Sequence, residues 1–556
     1  MRRALGVWVL MMGLCLVGGA GCDDNPPGEP TVDAGQGGNP DAGNPDAGNP
    51  DAGNPDAGNI GGDAGTALAH VRFVNAFLGL KDNPSDSEDA PWKPFKVNVY
   101  QGGTKLFSAS VEAGDEAVTD YVEVPAGTSF RFEVRDTEAP ASASPVAISE
   151  VLSLAENAHV TLVGVGFLHA SGDDRFDKPR LLVLKDEEFA AADKDSVRLR
   201  FVTAGRAVTS DQTRRLAVDG QSPFVTLAPF SADSAQGASL PKSVQRLVVS
   251  APPPDRYVPS QGGRLSFSLP SQALASAGSW FAILTGDDRR PLPDEGEAAL
   301  LLIPAGKRDF LRLKRDPLLY FLHAVMPDVD GNDPVPLQVL NGDRKVAAEI
   351  YYGYDPTIGE LPVTATGHSL KVTLDGDDGT VVLDAAPTGP LEAGRRYLVV
   401  MNGKQGQTGA LAPRLTVIPE GFPADAMDAR VRFVDVSMNA PAQGVDFGYF
   451  DVASDGSRGN TFTSVVQGAK YAAIAGPATG VPFNAPLSRD GSNNAFMYYG
   501  IRDAAAGPAK ALKGGVVARP HLVVLLGDWN QGTVEMRALN LRNNWWVSLS
   551  APGVFE

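Results

Sequence analysis

A strand-like heptad of one form occurs four times along this chain: HVRFVNA at 70–76, RLRFVTA at 198–204, LLYFLHA at 318–324 and RVRFVDV at 430–436. The starts lie 112 to 128 residues apart. That period constrains the fold strongly, because a sequence repeat is one structural unit and its length sets the unit's size. A propeller blade recurs at about 40 to 50 residues, whereas a seven-to-nine-strand sandwich takes about 100. The spacing therefore selects sandwiches.

Each copy continues in the same way. A hairpin signal follows the heptad: VNVYQGG ending at Gly103, LAVDGQ around Gly220, LQVLNGD around Gly342 and FDVASDG ending at Gly456. Asn-Gly and Asp-Gly between apolar runs supply the positive φ that tight hairpins need. A penultimate strand comes later, as VTLVGVG, SWFAILTG, RRYLVVMNG and HLVVLLGD. These runs are apolar on both faces, which is the pattern of a strand at the centre of a sheet. Closing strands follow at RLLVLKDE, ALLLIPAG, RLTVIPEG and TVEMRALN. In the first copy TSFRFEVRD alternates, with Phe130, Phe132 and Val134 facing in. No segment holds a helical period. The expected fold is all-β: four tandem antiparallel immunoglobulin-like β-sandwiches over 67–192, 193–313, 314–425 and 426–556.

The segment before residue 67 reads differently. Arg2 and Arg3 precede an apolar run from Ala4 to Val17, too short to cross a bilayer and laid out as a cleaved signal over 1–21. Gly19, Ala20 and Gly21 before Cys22 resemble the bacterial lipobox, although Gly19 stands where that motif usually has leucine. The resemblance implies acylation of Cys22 and an N-terminal membrane anchor; the competing reading is ordinary cleavage that leaves a free thiol. Residues 22–66 are Gly, Pro, Asn, Asp and Ala almost throughout, with NPDAG repeated from 39 to 58. Such a stretch buries too little surface to offset its ordering entropy, so a disordered stalk is expected. The expected location is the cell envelope, outer membrane or cell surface rather than inner membrane. Cys15 falls in the signal, so the folded part has no internal disulfide to lean on and depends on its cores. A net charge of −18 gives no electrostatic reason to bind nucleic acid.

The third copy, FLHAVMPDVDGNDPVPLQVLNGDRKV, resembles the start of the bacterial extracytoplasmic family called domain of unknown function 4397, and the first is similar through RFVNA, VNVYQGGTKLF and VPAGTSFRFEV. The resemblance implies an immunoglobulin-like sandwich on a secreted or anchored protein, and no activity.

Candidate chemistry is sparse. Asp328, Asp330, Asn332 and Asp333 have the look of a calcium loop, but Gly331 comes too early and no glutamate closes it, so a solvated loop is expected. Asp375, Asp377 and Asp378 read as a hairpin turn. The six histidines, at 70, 159, 169, 323, 368 and 521, form no spaced metal or catalytic pair. His323 aligns with Asn75, Thr203 and Asp435, a polar position at a strand end. Neither a cofactor nor a metal is expected. Trp529, the Trp545–Trp546 pair and the Tyr498–Tyr499 pair gather in the fourth copy; adjacent strand residues point to opposite faces, so one of each pair faces outward unless another surface covers it. Trp529 and Trp546 are the candidate ligand contacts, for a sugar ring or a protein partner. The functional expectation is a lipid-anchored, non-enzymatic adhesion or scaffold protein with an envelope protein or polysaccharide as partner. A glycan-binding lectin-like protein is the first alternative and an envelope hydrolase the second.

Overall fold

The computed structural model describes residues 67–78, 95–137, 143–168, 178–205, 213–251, 264–287, 296–307, 309–328, 333–354, 356–423, 426, 428–489, 492–505, 507–541 and 545–548. The signal, Cys22 and the NPDAG stalk lie outside them, as do His169, Asp330 and Asn332.

Among the described residues, strands and turns account for nearly everything, with short 3₁₀ pieces such as Asp186–Glu188 and Ala273–Ser276. The four heptads are the strands Leu68–Asn75, Ser196–Thr203, Leu318–Met326 and Arg430–Asp435. Each opens a sheet in which it pairs with its own penultimate strand: His159–Val165, Ser279–Thr285, Arg396–Lys404 and Pro520–Leu526. Among the described residues that pairing is parallel in all four sheets, while the other strand-to-strand pairings, isolated bridges apart, are antiparallel. The closing strand then adds antiparallel beyond the penultimate one.

A second sheet grows from each hairpin, for example Val225–Leu227, Arg214–Val218, Arg246–Ser250 and Arg264–Ser268 in the second copy. Gly102, Gly103, Gly220, Gly342 and Gly456 at the turns all have φ between +56° and +83°, the conformation that the Asn-Gly and Asp-Gly signals supply. The two sheets of a copy close on one apolar core. Phe73 packs with Val97, Phe132 and Val134; Phe201 with Leu216, Leu247 and Phe267; Phe321 with Val339 and Val372; Phe433 with Phe447 and Tyr499.

Strand alternation sends the residues flanking each of these phenylalanines to the opposite face. That face is buried too. Val74, Ala76, Val163 and Val165 of the first sandwich form one cluster with Val202, Ala204, Phe281, Ile283, Leu301 and Ile303 of the second. Leu322, Ala324, Leu398 and Val400 of the third do the same with Val434, Val436, Leu522 and Val524 of the fourth. The heptad sheets thus lie back to back, first on second and third on fourth, each covered on both faces. This accounts for the doubly apolar penultimate strands, for which a central place in a sheet is only half of the reason.

Each back-to-back seam is reciprocal. The third heptad residue reaches the end of the closing strand across the seam. Arg72 donates to the carbonyls of Pro304 at 3.0 Å and Lys307 at 2.6 Å, and Arg200 answers with Glu188 at 3.1 Å. In the second pair, Arg432 donates to the carbonyls of Pro419 at 2.5 Å and Glu420 at 2.9 Å, and the Tyr320 hydroxyl answers at the Leu541 carbonyl, 2.9 Å away. Both seams have the self-complementary form of an isologous dimer contact, built within one chain.

The second and third sandwiches meet differently, through ions. Asp316, in the connection between them, is fully buried. It accepts from Arg246 at 2.6 Å and from the Ser268 amide at 2.9 Å. Asp219 binds Arg246 and Arg264 of its own sandwich and Arg344 of the next, at 2.7, 2.7 and 3.0 Å. Glu360 of the third sandwich takes Arg315 and the Ser266 hydroxyl.

Candidate functional site

The polar position near the end of each heptad strand proves to be a strut. Asn75 donates to the Val111 carbonyl at 2.9 Å, Thr203 to that of Ala228 at 2.7 Å, and both are buried. His323 is also buried; its Nδ1 accepts from the Val325 amide at 3.0 Å and its Nε2 faces the Val335 carbonyl at 3.1 Å. That pattern requires a neutral ring with the proton on Nε2. Burial holds its pKa down to about 4. Asp435 is fully buried and bonded to the Ser437 amide and hydroxyl, and burial lifts its carboxyl to about 6.

Other buried titratable groups are engaged too, with Glu297 the exception. At the first seam His70 and His159 stack at 4.5 Å, and Tyr121 meets the edge of His159 while donating to Asp186 at 2.9 Å. Arg72 lies 4.7 Å over the Tyr121 ring. Burial lowers the Arg72 pKa and raises those of Tyr121 and Asp186. Geometrically this is a clamp: Arg72 is spent on two carbonyls and Thr161, and Asp186 Oδ2 on Tyr121 and the Gly306 amide, with its Oδ1 left unpartnered. Glu297 is buried with an unpartnered Oε2, and burial pushes its carboxyl up to about 8. Asp377 caps its own turn, accepting from the Gly379 amide and the Thr380 hydroxyl. Among the described residues, no group of three or more His, Cys, Asp or Glu side chains is placed to hold a metal ion.

Of the aromatic candidates, Trp529 is half-buried, packs against the fourth core, and carries Lys510 Nζ 4.9 Å from its ring. Trp546 lies in the strand Trp545–Ser548, opposite Leu539; its side chain is outside the described part of the molecule. Tyr498 and Tyr499 are both buried, Tyr499 in the core and Tyr498 in a separate cluster with Phe450 and Phe496, so a second surface does cover the pair.

The exposed aromatics lie elsewhere, in the sequence Tyr351-Tyr352-Gly353-Tyr354 after the strand Arg344–Ile350. Tyr351 is 49% exposed and Tyr354 66%, with ring centroids 6.0 Å apart at 65°. Their backbone is held firmly. The Gly353 amide donates to the His323 carbonyl at 2.9 Å, and Arg537 of the fourth sandwich donates to the Gly353 carbonyl at 2.6 Å. Gly353 has φ +64°, the left-handed conformation that favours glycine, so the turn itself calls for it. Tyr352 turns inward beneath, edge-on to His323 at 5.5 Å. The sequence reading missed this loop; its signal is three tyrosines around a glycine at a strand end.

Residues 90–209 match the family model described as Domain of unknown function (DUF4397). The match takes in the first sandwich from its hairpin onward and the heptad strand of the second. No curated protein matches the chain. Among solved structures, the pilus adhesin SpaC from Lactobacillus rhamnosus GG in its open conformation aligns at 11% identity and a TM-score of 0.11, covering 62% of this chain and 44% of that one. A second form of SpaC aligns at 10% identity and the same TM-score, covering 63% and 42%. The chain spans less than half the length of these adhesin structures.

Proposed function

We propose that this chain is an exported, lipid-anchored protein of the cell envelope that works without catalysis, as a scaffold presenting a contact surface to a partner. The observation that carries the reading is the Tyr351–Tyr354 loop. Large aromatic side chains stand in solvent on a backbone fixed from both sides of a seam, which lowers the ordering cost of binding. Cys22 and the NPDAG segment supply tether and reach. The non-enzymatic part is supported by Arg72, Asp186, His323 and Asp435, each of which serves a backbone or side-chain neighbour, although Asp186 Oδ1, Asp435 Oδ2 and Glu297 Oε2 are left without partners.

The test is capture by the purified chain of cell-envelope fractions left untreated, protease-treated or glycan-digested. Capture lost with protease supports a protein partner, capture lost with glycan digestion puts the lectin reading first, and absence of capture contradicts the proposal. Anchoring is tested separately by Cys22→Ala, which should move the protein from the membrane to the soluble fraction; an unchanged distribution would remove the lipid anchor from the account.

A further inference from the structure

The junction between the second and third sandwiches holds one carboxyl group that its ion pairs do not use. Glu297 stands just before the strand Ala299–Pro304 of the second sandwich and is 2% exposed. Its side chain reaches the third sandwich. Oε1 lies 3.1 Å from the point where a Cβ would stand on Gly394, in the turn before the strand Arg396–Lys404, and Oε2 is buried without a hydrogen-bond partner. The stem of Lys314 lies 3.1 Å from the same point, and the Gly394 amide donates to the Arg315 carbonyl at 2.7 Å. Gly394 has φ +71° and no side chain to push the carboxyl away, so the third sandwich seats directly on it.

The charged groups around Glu297 come from every element packed there. Arg312, Lys314 and Arg315 belong to the last strand of the second sandwich and the connection after it, Arg396 to the third sandwich, and the buried Asp287 is the backbone bridge partner of Glu297. Most of the cations are committed elsewhere: Arg315 to Glu360 at 2.8 Å, Arg396 to Glu420 at 2.7 Å, and Arg312 to Asp115. Among the described residues no ion pair involves Glu297. Asp316, Asp219 and Glu360 each hold an arginine and act as fixed ties. Glu297 is different: its neutral acid fits the dry site, whereas its carboxylate would be a buried charge without a partner.

We propose that Glu297 is a proton-operated latch of this junction: as the neutral acid it lets the Gly394 turn seat against the second sandwich, and loss of its proton parts the two until water reaches the carboxylate. Burial pushes the seated carboxyl up to about 8, against an ordinary value of 4.5 once the junction is open. The seated form therefore binds more protons, and its ratio to the open form falls as pH rises through that window, by up to about tenfold per pH unit.

The test is native-state hydrogen exchange on the full chain from pH 6 to 9, corrected for the base-catalysed chemical rate. It is read at two amides that cross the junction, Gly394 and Val363, the latter donating to the Ser268 hydroxyl of the second sandwich at 3.1 Å. Protection at both should fall as pH rises toward 8, by up to about tenfold per unit, and should stay constant in Glu297→Gln, which is neutral at every pH. Lys314→Met, at an exposed position, removes a charge that favours the carboxylate and should carry the fall to higher pH. Strand His159–Val165 of the first sandwich should keep its protection throughout. A flat parent profile, a fall that persists in Glu297→Gln, a Lys314→Met profile identical to the parent's, or an equal fall in His159–Val165 would overturn the assignment.

Discussion

The seams inside each pair of sandwiches and the junction between the pairs use opposite physics. In the first-to-second seam the buried face is Val74, Val163, Val202, Phe281 and Ile283, with polar contacts at the strand ends. At the second-to-third junction the buried group is Asp316 with Arg246, extended to Asp219, Arg344, Arg315 and Glu360. Apolar burial is non-directional and grows with area, so it joins two sandwiches into one cooperative body. A buried ion pair adds little net stability because desolvation offsets attraction, yet its geometry fixes orientation and leaving one partner alone is costly. The first kind of contact makes a folding unit; the second sets how two units are joined.

The largest effect expected is from Phe281→Ala. It opens a cavity in the apolar seam and should cost about 3–5 kcal/mol, read by urea unfolding, with the first and second sandwiches losing stability together. Asp316→Ala leaves Arg246 without its fully buried carboxylate and should cost about 3 kcal/mol, but with the loss confined to the junction. A loss from Asp316→Ala that spreads evenly over the whole chain would erase the distinction.

His323 sharpens the comparison with pH. Burial depresses its folded pKa to about 4 against about 6.5 unfolded, so the unfolded state takes up the proton first. Its stability contribution is complete above pH 6.5 and declines as pH falls toward 4, by about 3 kcal/mol. The difference in unfolding free energy between the parent and His323→Gln should follow that window, a comparison that cancels the opposite slopes of Asp435 and Glu297. A difference flat from pH 4 to 6.5 would refute the neutral-ring assignment. The smallest effect belongs to Arg344→Ala: it is the half-exposed partner of Asp219, which keeps Arg246 and Arg264, so the cost should stay below about 1 kcal/mol and shrink further in salt.

How much of this the sequence discloses depends on the range of the interaction. The heptad strands, the glycine turns and the inward Phe132 and Val134 follow from local rules, namely side-chain alternation and positive φ, and all are found where expected. Phe130 is only half-buried, because its strand is a two-residue piece paired with Leu152–Ser153 outside the main sheet. Arg72 was not legible. Between Val71 and Phe73 it reads as the solvent side of a strand, and only the second sandwich, more than two hundred residues on, explains its burial. The all-antiparallel expectation likewise misses one pairing in each heptad sheet, since the strand partner lies about 80 to 90 residues away. At the site the reading looked for paired aromatics in the fourth copy, where a second cluster covers Tyr498. Exposure of Tyr351 and Tyr354 depends on Tyr352 and Gly353 being pinned by His323 and Arg537, contacts that no local pattern encodes.

Each apolar seam should make its two sandwiches one folding unit. Native-state hydrogen exchange on the full chain, compared with Phe281→Ala, tests it most directly. The variant should lower protection equally in His159–Val165 and Ser279–Thr285, on the two sides of the seam, and leave Arg396–Lys404 and Pro520–Leu526 unchanged. Loss of protection in Ser279–Thr285 alone, with His159–Val165 unaffected, would contradict it.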